Sequence, residues 1–189
     1  MSVATQKYIN DHIADVMSAI EGSKLFPEVV IAQGALESGN GQSALAKIHN
    51  NYYGIKATRD WKGKVVTMKT DEFYGGVKSN INGTFRAYGS FLDSTRDYVK
   101  FLKENPRYTK GGVFDANTVE EQVQALKNSG YATAPTYVSN VLSVIKSNAS
   151  YLENAIFNYI KSQPYKAIAF ILLFGVLIYG GNKLYKLNK

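Results

Sequence analysis

The chain of 189 residues, 45% hydrophobic and 20% charged, is long enough for one compact domain with a short appendage, and its composition excludes wholesale disorder. It has no cysteine, which excludes a disulfide framework, a thiolate zinc site and a cysteine nucleophile. The net charge of +7 is concentrated at one end: five lysines and no acids from Lys161 onward leave residues 1–160 with 17 basic against 15 acidic side chains, too balanced for a nucleic-acid-binding face.

The opening run MSVATQKYINDHIADV is charged throughout and has no apolar centre, so it reads as folded domain and not as a secretory leader. Ile9, Ile13, Val16, Met17 and Ile20 recur at helical spacing and predict an amphipathic helix ending near Gly22. Pro27, at a favoured first position, starts a second helix that runs through EVVIAQGALE and stops at Ser38-Gly39. A short helix is expected over 42–49. From residue 50 to 88 Gly, Thr, Lys and aromatics displace the helical period. There KVVTMKT and residues 84–88 read as short strands bordering turns at Tyr74-Gly75-Gly76 and Asn82-Gly83.

Helices resume with Phe91, Thr95, Tyr98, Val99 and Leu102, closed by Asn105-Pro106. Thr118 and Glu121 form a capping box ahead of Val119, Val123 and Leu126. After Pro135, one face carries Val138, Val141, Leu142, Ile145, Ala149 and Leu152. The fold class is therefore mainly α with a small β-hairpin lobe, an α+β arrangement.

Between Lys166 and Lys183 lie 16 uncharged residues, AIAFILLFGVLIYGGN. As a helix they would reach about 24 Å against a hydrocarbon core of about 30 Å. Lys166 and Lys183 can snorkel, and Tyr165, Tyr179 and Tyr185 supply interfacial rings, so a transmembrane helix is expected over 165–182 as a C-terminal membrane anchor. The expected organisation is a domain over 1–157, a joint over 158–164, the membrane helix, and a basic tail over 183–189.

Glu37 resists a purely structural explanation. It shares a helix face with Val30 and Gln33, seven and four positions earlier, and that face is otherwise apolar. Burial and the negative end of the helix dipole both favour its protonated form, which is what a general acid needs. Ser38-Gly39-Asn40-Gly41 follows, with two glycines that let backbone approach a ligand and turn away.

The strings IAQGALESGNGQSALA, NNYYGIKA, WKGKVVTMKTDEF, FRAYGSF, NPRY and GYATAPTYVSNVLSVI occur in order across about residues 2–152. In order and spacing they resemble the glucosaminidase family of peptidoglycan hydrolases, glycoside hydrolase family 73, which includes flagellar-type wall hydrolases, autolysins and phage lysins. The resemblance implies a lysozyme-like fold with the glycan lying between a helical body and the β-lobe. It implies that Glu37, in A-x-E-S-x-x-G, is the catalytic acid. It places a second acid on Glu72, in Thr70-Asp71-Glu72-Phe73, where alternation sends Asp71 to the opposite face. Glycoside hydrolysis uses two such carboxylates, and their separation in space decides between inversion and retention.

Aromatic residues make up 13% of the chain, 14 of them Tyr, and sugar rings stack on such planes. By the same resemblance, Tyr131 and Tyr53, with Tyr137 and Trp61 behind them, are candidates for binding the glycan. Asn51 is a further candidate, and with Asn50 it is expected to brace the turn beside Glu37. Two departures from the family pattern stand out: Ala134 where Asp is common, and Tyr52-Tyr53 where Leu-Phe is common. His12 and His49 lack ligand-spaced partners and read as surface or helix-end residues, so neither metal nor cofactor is implied.

The expected function is cleavage of the β-1,4 bond after N-acetylglucosamine in peptidoglycan. The alternatives are a muramidase or lytic transglycosylase, and a non-catalytic wall-binding virion protein. A membrane anchor without a leader suggests the membrane of a lipid-containing phage virion, in contact with other virion proteins, or else the bacterial envelope.

Overall fold

A computed structural model describes residues 2–74, 77–163, 176–178 and 184–186, the backbone alone for 70–74, 77–81, 176–178 and 184–186. Its elements in chain order are α1 (Val3–Ala19), α2 (Pro27–Ser38), α3 (Ala44–His49), β1 (Val65–Tyr74), β2 (Val77–Arg86), α4 (Phe91–Glu104), α5 (Pro106–Lys110), α6 (Val119–Asn128), α7 (Tyr137–Ser147), α8 (Ala149–Ser162), β3 (Val176–Ile178) and β4 (Leu184–Lys186).

The helix opened by Pro27 is apolar around its circumference: Val29, Val30, Ile31, Ala32 and Ala35 are all buried. Such a helix must stand at the centre of a domain. α1, α6 and α7 pack against α2. Each buried Val or Ile contributes about 1.5–3 kcal/mol of transfer free energy. The start of α2 is held by Gln122 of α6, itself fully buried. Its Oε1 accepts from the Phe26 N–H at 2.8 Å, and its Nε2 donates to the carbonyls of Lys24 and Val113 at 3.1 and 2.9 Å. α6 begins at the expected box. Thr118 accepts from the Glu121 N–H at 3.1 Å, and the Glu121 carboxylate reaches back to the N–H of Asn117 at 2.7 Å.

β1 and β2 form one antiparallel hairpin, with Val65 opposite Arg86 and Tyr74 opposite Val77. The turn expected at Asn82-Gly83 is not one. Both residues lie inside β2, opposite Lys69 and Met68, because a complete ladder to β1 outweighs a local turn preference. The base of the hairpin is tied to the body by backbone bonds from Ala57 N–H to the Thr84 carbonyl and from Arg86 N–H to the Ile55 carbonyl, at 2.9 and 3.0 Å. Asn51 completes the tie. Its Nδ2 donates to the carbonyls of Ile55 and Arg86, and its Oδ1 accepts from the Ile55 N–H.

The helical face expected after Pro135 is split in two. Asn148 breaks the helix (φ −122, ψ 16), and its side chain donates to the Val144 carbonyl at 2.8 Å, a local bond that competes with the helical ladder. The break lets α7 pack on α2 and α8 on α1. α8 then runs to Ser162 with Ile156, Phe157 and Ile160 buried, so residues 158–162, expected as a joint, continue the helical body.

The expected C-terminal transmembrane helix is corrected. Val176–Ile178, within the span over 165–182, is a strand paired antiparallel with Leu184–Lys186. Among the described residues no helix is long and apolar enough to cross a membrane. A short apolar run has no periodicity to separate helix from strand. Here β-branched Val176 and Ile178, followed by the helix-disfavouring sequence Gly180-Gly181-Asn182, tip the choice to pairing. Residues 165–175 and 179–182 lie outside the described residues. The remainder of the fold class, mainly helical with a small two-stranded sheet, agrees with the lysozyme-like expectation.

Candidate active site

α2 carries Val30 and Gln33 into the core, 0% and 1% exposed, and then delivers Glu37 one turn further along the same face to where the helix ends and the side chain meets solvent. The stop is built by Ser38, whose hydroxyl donates to the Gly34 carbonyl and accepts from the Gly41 N–H at 2.7 Å. Gly39, Asn40 and Gly41 all take positive φ (58°, 57° and 77°), which turns the chain sharply away from the carboxyl group. A side chain at Gly41 would meet Tyr52 at 3.3 Å, so close packing as well as backbone geometry calls for glycine there.

Glu37 is an exposed residue whose carboxyl group nevertheless has protein close beside it. A Cβ on Gly54 would lie 4.0 Å from its Oε2, and Gly54 has a positive φ of 64°. Tyr131 and Tyr137 feel the Glu37 charge, second to burial among the causes that raise their own pKa values. Desolvation raises the Glu37 pKa above the ordinary glutamate range. No cation or hydrogen-bond donor among the described residues offsets that cost. A carboxyl group held this way keeps its proton to higher pH and can deliver it to a leaving oxygen.

Behind Glu37 stands a connected set of tyrosines. Tyr53 stacks on Tyr98 with centroids 4.3 Å apart, and its hydroxyl bonds Thr95 at 3.1 Å. Tyr131 meets Tyr98 edge-on at 5.9 Å and lies 5.9 Å from Tyr137. Gln33 joins the set from below: its Oε1 accepts from the Tyr98 hydroxyl and its Nε2 donates to Tyr137. Tyr53 and Tyr137 are buried and Tyr131 half-buried, so Tyr131 has the most surface available to a ligand. Helical spacing placed Gln33 on the face of Glu37, but nothing in the primary structure marked Tyr98 or Gly54 as neighbours of this site, since they reach it only through packing.

The pattern that defines the family described as mannosyl-glycoprotein endo-beta-N-acetylglucosaminidase matches residues 13–150. This chain belongs to the glucosaminidase family. It is 39% identical over 132 residues to the peptidoglycan hydrolase FlgJ of Salmonella typhimurium, a match covering 68% of this chain and 41% of that protein. It is 33% identical over 144 residues to the exo-glucosaminidase LytG of Bacillus subtilis, covering 75% of this chain and 50% of that protein. The chain thus spans about half or less of the length of these relatives. The catalytic domain of the autolysin Auto from Listeria monocytogenes has the same fold: TM-score 0.70 and 32% identity, over 81% of this chain and 88% of that one.

Glu72, expected from the sequence as the second carboxylate, lies in the outer half of β1 opposite Ser79; its side chain lies outside the described residues. Trp61 sits at the base of the hairpin. Its indole N–H donates to the Lys64 carbonyl at 3.0 Å, and the Arg86 guanidinium covers its ring at 4.4 Å. Arg86 also pairs with Asp97 at 2.8 Å, and Asp97 accepts from the Tyr88 hydroxyl at 2.7 Å, which joins hairpin to α4. Asn51 spends its amide on three backbone groups, as a brace.

At Ala134, an expected departure from the family pattern, the loop is held by a lysine. The Lys127 ammonium donates to the carbonyls of Ala132 and Ala134 at 2.9 and 2.7 Å. His12 is not a simple surface residue. It stacks on Phe91 at 3.9 Å with Tyr8 and Tyr52 edge-on, and burial lowers its pKa against the pull of Asp11 and Asp15.

Proposed function

We propose that the chain hydrolyses the β-1,4 glycosidic bond that follows N-acetylglucosamine in peptidoglycan. The observation that carries this reading is Glu37: a partly desolvated carboxyl group on an exposed residue, without a counter-charge among the described residues and near Tyr131 and Tyr137, in a glucosaminidase-family chain. Glu37 protonates the departing glycosidic oxygen as the C–O bond breaks. Glu72 assists the attacking water or stabilises the oxocarbenium charge, and the water oxygen ends on the anomeric carbon. Tyr131, Tyr53, Tyr137 and Trp61 supply or back aromatic surface for the sugar faces. The names of FlgJ, a peptidoglycan hydrolase, and LytG, an exo-glucosaminidase, support both the polymer and the bond.

Purified wall digested by the protein should release fragments with N-acetylglucosamine at the reducing end; N-acetylmuramic acid there, or an anhydro sugar, would assign the neighbouring bond to a muramidase or lytic transglycosylase. Glu37→Gln should abolish digestion while wall binding persists. Full digestion by that variant would overturn the acid, and an inactive parent that binds wall would make the chain a wall-binding protein. We propose a phage particle or the bacterial envelope as its place of action, since both bring a protein to wall glycan; copurification with particles or with host envelope tells them apart.

A further inference from the structure

The charge of the domain is unevenly spread. Residues 56–69 carry five basic side chains, Lys56, Arg59, Lys62, Lys64 and Lys69, against one acid, Asp60, whereas the rest of residues 1–160 carries 12 against 14. Three of these cations belong to one short loop. Arg59, Lys62 and Lys64 are exposed, and no carboxylate pairs with them among the described residues. The loop is curled round Trp61. The Trp61 backbone N–H donates to the Thr58 carbonyl at 3.1 Å, its indole N–H to the Lys64 carbonyl at 3.0 Å, and a Cβ built on Gly63 would stand 2.3 Å from the ring.

The same loop is fastened beside the acid. The Lys64 carbonyl also accepts from the Ala87 N–H at 2.9 Å, and the neighbouring Arg86 N–H donates to the Ile55 carbonyl at 3.0 Å. Ile55 follows Gly54, where a Cβ would lie 4.0 Å from Glu37 Oε2. The five peptide units from Gly54 to Arg59 span at most about 18 Å. An unpaired cationic loop thus stands within the reach of a short peptide from the carboxyl group that breaks the bond.

We propose that Arg59, Lys62 and Lys64 form a docking surface for the free carboxylates of the peptides that branch from the wall glycan, so that the chain selects peptide-bearing strands over bare ones. This deepens the proposed cleavage of peptidoglycan and rests on it. Every second sugar of that polymer can bear such a peptide. A few residues at about 3.3–3.6 Å each carry its carboxylates from a strand lying at Glu37 to the loop. Exposed ion pairs are individually weak and are screened beyond about 8 Å at physiological salt, so three cations acting on one anionic partner govern capture and not the bond-breaking step.

The test compares the parent with the triple variant Arg59→Gln, Lys62→Gln, Lys64→Gln on purified wall whose peptide carboxyl groups are free or amidated, at low and high salt. On native wall at low salt the triple variant should raise KM about tenfold with kcat retained, and the parent should show a similar rise on amidated wall. High salt should erase both differences. Because amidation tests the contact with the unaltered protein, the outcome does not depend on how the variant folds. A control with Lys7→Gln, Lys100→Gln and Lys146→Gln removes the same charge from α1, α4 and α7 and should behave as the parent.

A parent indifferent to amidation, an unchanged KM in the triple variant, or an equal loss in the control would overturn the proposal. So would a triple-variant loss that persists on amidated wall, which would assign the loop to phosphate groups of another wall polymer. Binding by Glu37→Gln separates this proposal from the glycosidase reading. Tighter binding to native than to amidated wall supports the docking surface even if the parent proves inactive, which sinks the glycosidase alone. An active parent with equal binding to both walls sinks the docking surface alone.

Discussion

Gly34 lies directly over Tyr8: a Cβ built on this glycine would stand 2.6 Å from the Tyr8 hydroxyl oxygen and 3.3 Å from the Tyr53 ring. α1 and the tyrosine set are thus pressed against α2 three residues before Glu37, and the glycine is a packing requirement inside a helix that would otherwise favour alanine by about 1 kcal/mol.

Gly34→Ala should therefore destabilise the protein by about 1–3 kcal/mol in urea unfolding despite the gain in helix propensity, because overpacking outweighs it. Adding Tyr8→Phe removes the oxygen that the new methyl meets, and should recover most of the loss. Two losses that simply add would show that the contact is not the cause.

Glu37→Gln should be more thermostable than the parent at neutral pH. The folded-state pKa is raised by desolvation, so ionisation costs the native state free energy. That cost is absent below the unfolded value of about 4.3, grows as pH rises through the interval up to the folded value, and is constant above it. Thermal melts should coincide at about pH 3 and separate at pH 7, the variant melting higher. Melts that coincide throughout would mean a carboxyl group hydrated like a free one.

Lys127→Met should leave unfolding nearly unchanged and weaken substrate handling. The ammonium is the latch for the backbone of Ala132 and Ala134, next to Tyr131. Without it the loop carrying Tyr131 has more freedom, and kcat/KM on wall should fall several-fold, mostly through KM. Introducing Asp with Ala134→Asp in the parent should be tolerated, because its carboxylate would stand near the same cation.

Gln122→Leu should cost about 2 kcal/mol or more. Leucine fits the volume but leaves the Phe26 N–H and the carbonyls of Lys24 and Val113 without their partner in a dry site. Urea unfolding followed by circular dichroism measures the loss. The site chemistry is not involved, so activity of the folded fraction should persist.

The helices were legible where their causes are local. Pro27 and the Ser38-Gly39 stop bound α2 as read from the chain, and the Thr118 cap opens α6. Glu37 was legible as an anomaly, a carboxylate on an apolar face. Asn82-Gly83 misled because turn preference is worth little against a ladder formed on both sides. The C-terminal run misled because length and apolarity do not distinguish a span from a strand once a partner strand is near.

The amino-acid order alone determined which segments wind into helices, that a hairpin interrupts them, and where along α2 an acid would emerge, since periodicity, caps and breakers act over a few residues. Only the tertiary structure decided what surrounds that acid. Gln33 meets Tyr137 across 104 positions and Gln122 meets Phe26 across 96. Such pairs form because packing the helices excludes water and leaves each buried polar group no other partner, a condition set in three dimensions and carried by no local run of sequence.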